Sequence, residues 1–173
     1  MTINENNPLR QFFRRPAVSI SLPSGGDSYS EGAIEWPDEG KELPVFPMTA
    51  IDEITTKTPD ALFNGSAMVE IIKSCVPAIK NPWEILSTDL DTVLISIKAA
   101  GGQETIDVDS ICEKCGEEGT YGINLQILLR SLQAGDYQIP LKIGELEIYY
   151  SPLTYKQMNE AGLKQFEIQA KYK

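Results

Sequence analysis

Apolar positions recur with a helical period most clearly between residues 66 and 76. Met68, Val69, Ile71, Ile72, Cys75 and Val76 fall at i, i+3, i+4 spacing and leave Glu70 and Lys73 off the stripe. The pattern predicts an amphipathic helix with Ser66 as its cap and Pro77 as its stop, since proline breaks the helical ladder. Two shorter helices are predicted before it. Thr49, followed by Asp52 and Glu53, caps one running from Ala50 to about Thr56, and Thr58-Pro59 starts another that Asn64-Gly65 closes. Asn81-Pro82 marks a turn that places Trp83 as a plug on the core. A further helix follows, with Leu90, Val93, Leu94, Ile97 and Ala100 on one face, Thr88 or Asp89 as cap and Gly101-Gly102 as stop.

Alternation of period two predicts the strands. Val18, Ile20 and Leu22 make one, residues 33–36 a second, and the chain then runs extended into Pro44. Residues 105–111 and 120–125 flank the segment CEKCG as a hairpin, and LQILLRSL after it reads as a short helix. Residues 137–143 and 145–150 form another hairpin about Gly144, with Leu146, Ile148 and Tyr150 on one face. Thr154 and Gln157 make a capping box for a final helix that meets no stop signal before Lys173. Such a helix predicts an arm held by a partner, or a longer chain, and Gly162 within it costs about 1 kcal/mol relative to alanine.

These elements predict an α+β fold, in which short central helices (about 48–100) pack with small antiparallel hairpins (about 105–125 and 137–150). Together they make one domain over 17–150, flanked by an N-terminal docking arm (1–16) and a C-terminal helix (151–173) that contacts a partner.

Composition narrows the function. The formal net charge is −10, against the basic patch that phosphate binding needs, so nucleic acid is not an expected partner. There is no histidine, which removes the usual general base and every His-containing triad or metal motif. Three cysteines are too few for a disulfide scaffold and suit a reducing compartment. No apolar run is long enough to span a bilayer, and the N-terminus lacks a secretory signal, so synthesis in the cytoplasm is expected. Asp52 with Glu53, and Asp89 with Asp91, are the tempting acidic pairs. Adjacent or alternate helical positions do not face each other across a cleft, so Asp89 and Asp91 read as cap and solvated face.

Two segments carry candidate contacts. PLRQFFRR sets Phe12 and Phe13 among Arg10, Arg14 and Arg15 in an otherwise acidic chain. It reads either as aromatics tucked against the domain or as a docking arm with the arginines pairing to carboxylates. On the last helix Tyr155, Met158 and Phe166 are the matching interface residues. Cys112 and Cys115 offer two thiolates in half of a zinc ribbon, and zinc is the one cofactor the sequence admits. Three readings stay open for this knuckle: a bare turn, a zinc site completed by Cys75, an acidic residue or a neighbouring chain, and a redox dithiol. The last is disfavoured because the pair sits in a hairpin and not at a helix N-terminus.

Pro47–Gly65 (PMTAIDEITTKTPDALFNG), Ile71–Trp83 (IIKSCVPAIKNPW), DLDTVLISI, the CxxCG hairpin and SPLTYKQMNE together resemble the baseplate hub subunit or hub assembly protein family of T-even-like contractile-tailed bacteriophages. FFRRPAV and LPSGG near the N-terminus resemble it too. The resemblance implies a non-enzymatic structural or assembly role in the tail baseplate, in several copies beside other hub and tail proteins, assembled in the host cytoplasm and carried in the virion. An alternative it leaves open is a transient chaperone of hub assembly.

Overall fold

The computed structural model describes residues 14–133, 137 and 139–172. The fold is α+β, with three separate two-stranded antiparallel ribbons set among the helices. Its core is one ribbon and two helices. Strand β1 (Val18–Ser21) pairs with β2 (Glu42–Val45), placing Ile20 opposite Leu43 and Val18 opposite Val45 on the inward face. Helix α3 (Ser66–Cys75) and helix α4 (Ser87–Ala100) pack against that face. Leu43, Val45, Ile72, Cys75, Val76 and Val93 lose all contact with solvent there. Burial of this apolar surface, at about 25 cal/mol per Å², is the main term holding the body together.

Helix α1 (Ala50–Thr55) begins as the sequence predicts. Thr49 and Asp52 form a reciprocal capping box, and Asp52 is buried by it. Helix α2 (Pro59–Phe63) starts on its proline. The cap of α3 differs from expectation. Gly65 holds the N-cap in the left-handed region, at φ 78°, and Ser66 is the first helical residue, its N–H donating to Asn64 Oδ1 at 2.9 Å. The Asn64 side chain thus does the work expected of Ser66. An added Cβ at Gly65 would also stand 2.8 Å from Asn159 Oδ1 and 2.9 Å from the Tyr155 hydroxyl.

Two further expectations are corrected. Residues 33–36 do not form the expected strand, and β1 pairs with 42–45. Ala33 and Ile34 are buried, but their backbone is engaged by the loop after α3: Lys80 N donates to Ala33 O at 2.8 Å, and Glu35 N donates to Ala78 O at 2.8 Å. Only an isolated bridge, Ile34 to Ile79, results. Asp89 is neither a cap nor solvated. It lies fully buried in the first turn of α4, accepting from Ser24 N (2.8 Å), Ser24 Oγ (2.5 Å) and Tyr29 Oη (2.7 Å). Tyr29 Oη in turn accepts from Leu86 N at 3.2 Å, so one tyrosine ties the 23–30 turn to the start of α4. Burial, outweighing the Leu86 hydrogen bond and reinforced by Asp89, pushes the Tyr29 hydroxyl far above its ordinary range. Asp91 is exposed, as expected.

The rest of the chain adds elements outward. Strands β3 (Thr105–Ile111) and β4 (Glu118–Asn124) form the CxxC hairpin. Asn124 ends it and caps helix α5 (Leu125–Ser131), its side chain accepting from Gln126 N and Ile127 N. Strands β5 (Leu141–Ile143) and β6 (Leu146–Ile148) turn at Gly144, whose φ is 63°. Helix α6 (Tyr155–Lys171) carries the predicted Thr154–Gln157 capping box and buries no residue.

Candidate functional site

Near the N-terminus, Arg10, Phe12 and Phe13 lie outside the described residues. Arg15 is exposed. Arg14, read as part of either a tucked segment or a docking arm, is engaged within the chain. Its guanidinium donates to Ser74 O and Ser74 Oγ at 2.9 Å and to Cys75 Sγ at 3.1 Å, and lies 3.6 Å from Asp52 Oδ2. It also stands over the Phe46 ring, 5.8 Å from the centroid. Asp52 Oδ2 accepts from Thr49 N (2.7 Å), Thr49 Oγ1 (2.8 Å) and Ser74 Oγ (3.0 Å). Burial pushes this carboxyl up, but those hydrogen bonds and the Arg14 charge prevail and hold it below the ordinary carboxylate range. For Cys75 burial wins, and the thiol is pushed up despite Arg14. Sequence reasoning missed this cluster because nothing local couples residue 14 to residue 74.

At the other end, Tyr155 stacks on Trp83, with centroids 5.4 Å apart and planes at 17°. Trp83 therefore pins α6 to the short 3-10 turn Pro82–Glu84, and Pro82 is the residue buried against the core. The Tyr155 hydroxyl donates to Gly65 O at 3.2 Å, and Asn159 Nδ2 donates to Asn64 O at 3.0 Å. Phe166 meets Phe63 edge to face at 5.2 Å. Between these two aromatic contacts runs an open groove of about 430 Å³, floored by Met158, Gly162 and Leu163. Met158 and Phe166 are exposed on it and Tyr155 is half-buried.

The ribbon β5–β6 was not singled out in the sequence as a contact surface. Its register sets Leu141 opposite Ile148 and Ile143 opposite Leu146, so all four share one face. They are 54%, 42%, 57% and 68% exposed respectively. Lys142 and Glu147, paired at 2.9 Å, take the other face. The signal was present as apolar residues at i and i+2 on both strands, but such a pattern reads as core until a structure shows the residues exposed.

On β3–β4, Ile106, Val108, Tyr121 and Ile123 share a face by register, and Val108 and Tyr121 are exposed. Cys112 and Cys115 stand at the tip, both exposed and unbridged. Gly116, at φ 72°, completes the turn, its N–H donating to Cys112 O at 2.8 Å, and Cys112 N donates to Glu117 O at 2.9 Å. The backbone N–H groups of Cys115 and Lys114, and then the Cys115 thiol, donate to the Cys112 sulfur and hold its pKa below the ordinary thiol range. Cys75 is not near enough to join them, being buried on α3 with its sulfur on Arg14. Among the described residues, no group of three or more Cys, Asp or Glu is arranged to hold a metal ion. No helix among them is long and apolar enough to cross a membrane.

Fold and surface together define a small, acidic α+β protein with much of its apolar side-chain surface outside the core, on two ribbons and a terminal helix. The profile of the T4 bacteriophage base plate protein family matches residues 32–171, which is most of the chain. The chain belongs to that family, and its role is a structural or assembly one in the phage base plate. Searches of curated proteins and of solved structures returned no match.

Proposed function

We propose that this protein is a non-catalytic subunit of the base plate hub of a contractile tail, held to its neighbours mainly through its C-terminal third. The observation that carries this reading is the exposed four-residue apolar face of β5–β6, followed in the chain by a 17-residue helix in which no residue is fully buried. A free chain gains nothing from aligning Leu141, Ile143, Leu146 and Ile148 on a solvated face, whereas a contact surface requires it. Met158 and Phe166 supply a second set of exposed apolar positions on α6, and several copies meet other tail proteins around the symmetric axis.

Replacing Ile143 and Leu146 with glutamate tests the reading. Both side chains are exposed, so the melting temperature of the purified protein stays within a few degrees of the parent. The expected result is that the variant no longer enters base plates when it replaces the parent protein in the phage. Normal incorporation would sink the proposed surface. Mass-spectrometric quantification of the parent protein in finished particles and in immature base plates separates a resident subunit from a factor that leaves. Finding it only in the immature assemblies would overturn residence in the virion.

A further inference from the structure

The CxxC tip has the construction of a metal-binding knuckle. Ladder pairing continues without a break from Thr105↔Asn124 to Ile111↔Glu118, so the strands deliver both cysteines to a turn fixed on each side. Gly116 takes the left-handed conformation that lets the backbone curl under Cys112. Gly116 N donates to Cys112 O at 2.8 Å and Cys112 N donates to Glu117 O at 2.9 Å, so hydrogen bonds close the turn that carries both thiols. Two exposed thiols on one closed CxxC turn are the pair that a zinc knuckle supplies. A bare turn needs no second thiol.

Two thiolates fill half of a tetrahedral zinc shell. The described residues do not supply the other half at this place. The chain has no histidine, its third cysteine is buried against Arg14, and no further acidic ligand among the described residues is grouped with the pair. The tip itself is free, with both cysteines exposed at the end of the projecting hairpin. A two-fold axis through a shared ion would present Cys112 and Cys115 twice over in the same knuckle geometry, completing four sulfur ligands with no other residue type. Glu113, Glu117 and Glu118 surround each tip against the single Lys114, so two metal-free tips repel.

We propose that the β3–β4 hairpins of two copies of this chain share one zinc ion through Cys112 and Cys115 of each, and that the metal is what joins them. Four thiol protons are released as the dication binds, and no change of oxidation state is involved. The exposed Val108 and Tyr121 lie further along the same hairpin and add apolar contact to the pairing.

The test uses the full chain, reduced and supplied with zinc chloride, with mass by light scattering and metal content measured on the same sample. The expected result is a dimer with about half an equivalent of zinc per chain, returned to metal-free monomer by EDTA. Cobalt(II) in place of zinc should give the absorption of a tetrahedral tetrathiolate site. Cys112→Ser, at an exposed position, should keep the melting temperature and lose both metal and dimer. One equivalent on a monomer would overturn the shared site, and so would no binding at all. A dimer that survives EDTA or Cys112→Ser would overturn the metal's part in it.

Discussion

Tyr155→Ala should release the C-terminal helix while leaving the body folded. The side chain packs at the edge of the core and makes two specific contacts there: the stack on Trp83 at 5.4 Å and the hydrogen bond to Gly65 O at 3.2 Å. The stack is worth about 0.5–1.5 kcal/mol beyond area burial, and the hydrogen bond about 0.5–1.5 kcal/mol. Loss of partial ring burial brings the sum to about 2–4 kcal/mol. At 1.4 kcal/mol per decade, the equilibrium for opening α6 rises roughly 30- to 700-fold. What remains at the start of the helix is the backbone pairing of Tyr155 N with Ile85 O at 2.7 Å and Ser87 N with Leu153 O at 2.8 Å. Further along only Asn159 with Asn64 and Phe166 with Phe63 hold the side chains, so release is expected beyond the first turn. The undocked helix is also close to the length at which isolated helices are marginal in water. Native-state hydrogen exchange checks this directly. Amides of α6 should exchange faster by that factor, while those of α3 around Ile72 keep their protection. Equal acceleration in both helices would show Tyr155 to be part of the cooperative core. Unchanged exchange in α6 would show that the aromatic stack does not hold the helix.

Tyr29→Phe should destabilise the protein by about 2 kcal/mol, because it removes one hydrogen bond to the Asp89 carboxylate and leaves Leu86 N without its acceptor. In a denaturant double-mutant cycle with Asp89→Asn, the pair should couple by about 1 kcal/mol or more; additive effects would mean that the hydroxyl and the carboxylate act separately. The Asp52 carboxyl has a depressed pKa in the folded chain, so its contribution is present above the unfolded value and is lost as pH falls through the folded one. Stability measured from pH 6 down to about 2 should therefore fall less steeply in Asp52→Asn than in the parent, and parallel curves would count against the Arg14–Asp52–Ser74 cluster as its source.

Much of the fold could be read from local chemistry. The boxes at Thr49–Asp52 and Thr154–Gln157, the proline start of α2, the stripe of α3 and the strand 105–111 depend on residues within one turn or one pleat of each other. What escaped was decided across the chain. Residues 33–36 read as a strand because they look as extended as 42–45, and only the 78–81 loop, by engaging their backbone, reduces them to a single bridge. Asp89 has the spacing of a helix cap, yet its environment is set by Ser24 and Tyr29, some sixty residues away. Arg14 reads as a free cation until Ser74 and Cys75 are placed beside it. For the candidate surfaces, the positions of Met158 and Phe166 were legible as a partial stripe. The apolar face of β5–β6 was not, since alternation marks which side is apolar and cannot say whether anything covers it.

The ribbon β5–β6 has three residues in each strand and none of them is buried. A two-stranded hairpin of that size is marginally stable by itself, so in the free chain it opens and closes at almost no cost in free energy. Its apolar face is therefore only intermittently assembled before a neighbour is met. Closing it against that neighbour charges the ordering entropy to the binding step, which lowers affinity relative to the area covered. Stray encounters through this face then dissociate readily, while an encounter with a surface already in place captures the closed form. Timing is the consequence: this face stays unengaged until the site it fits has been built.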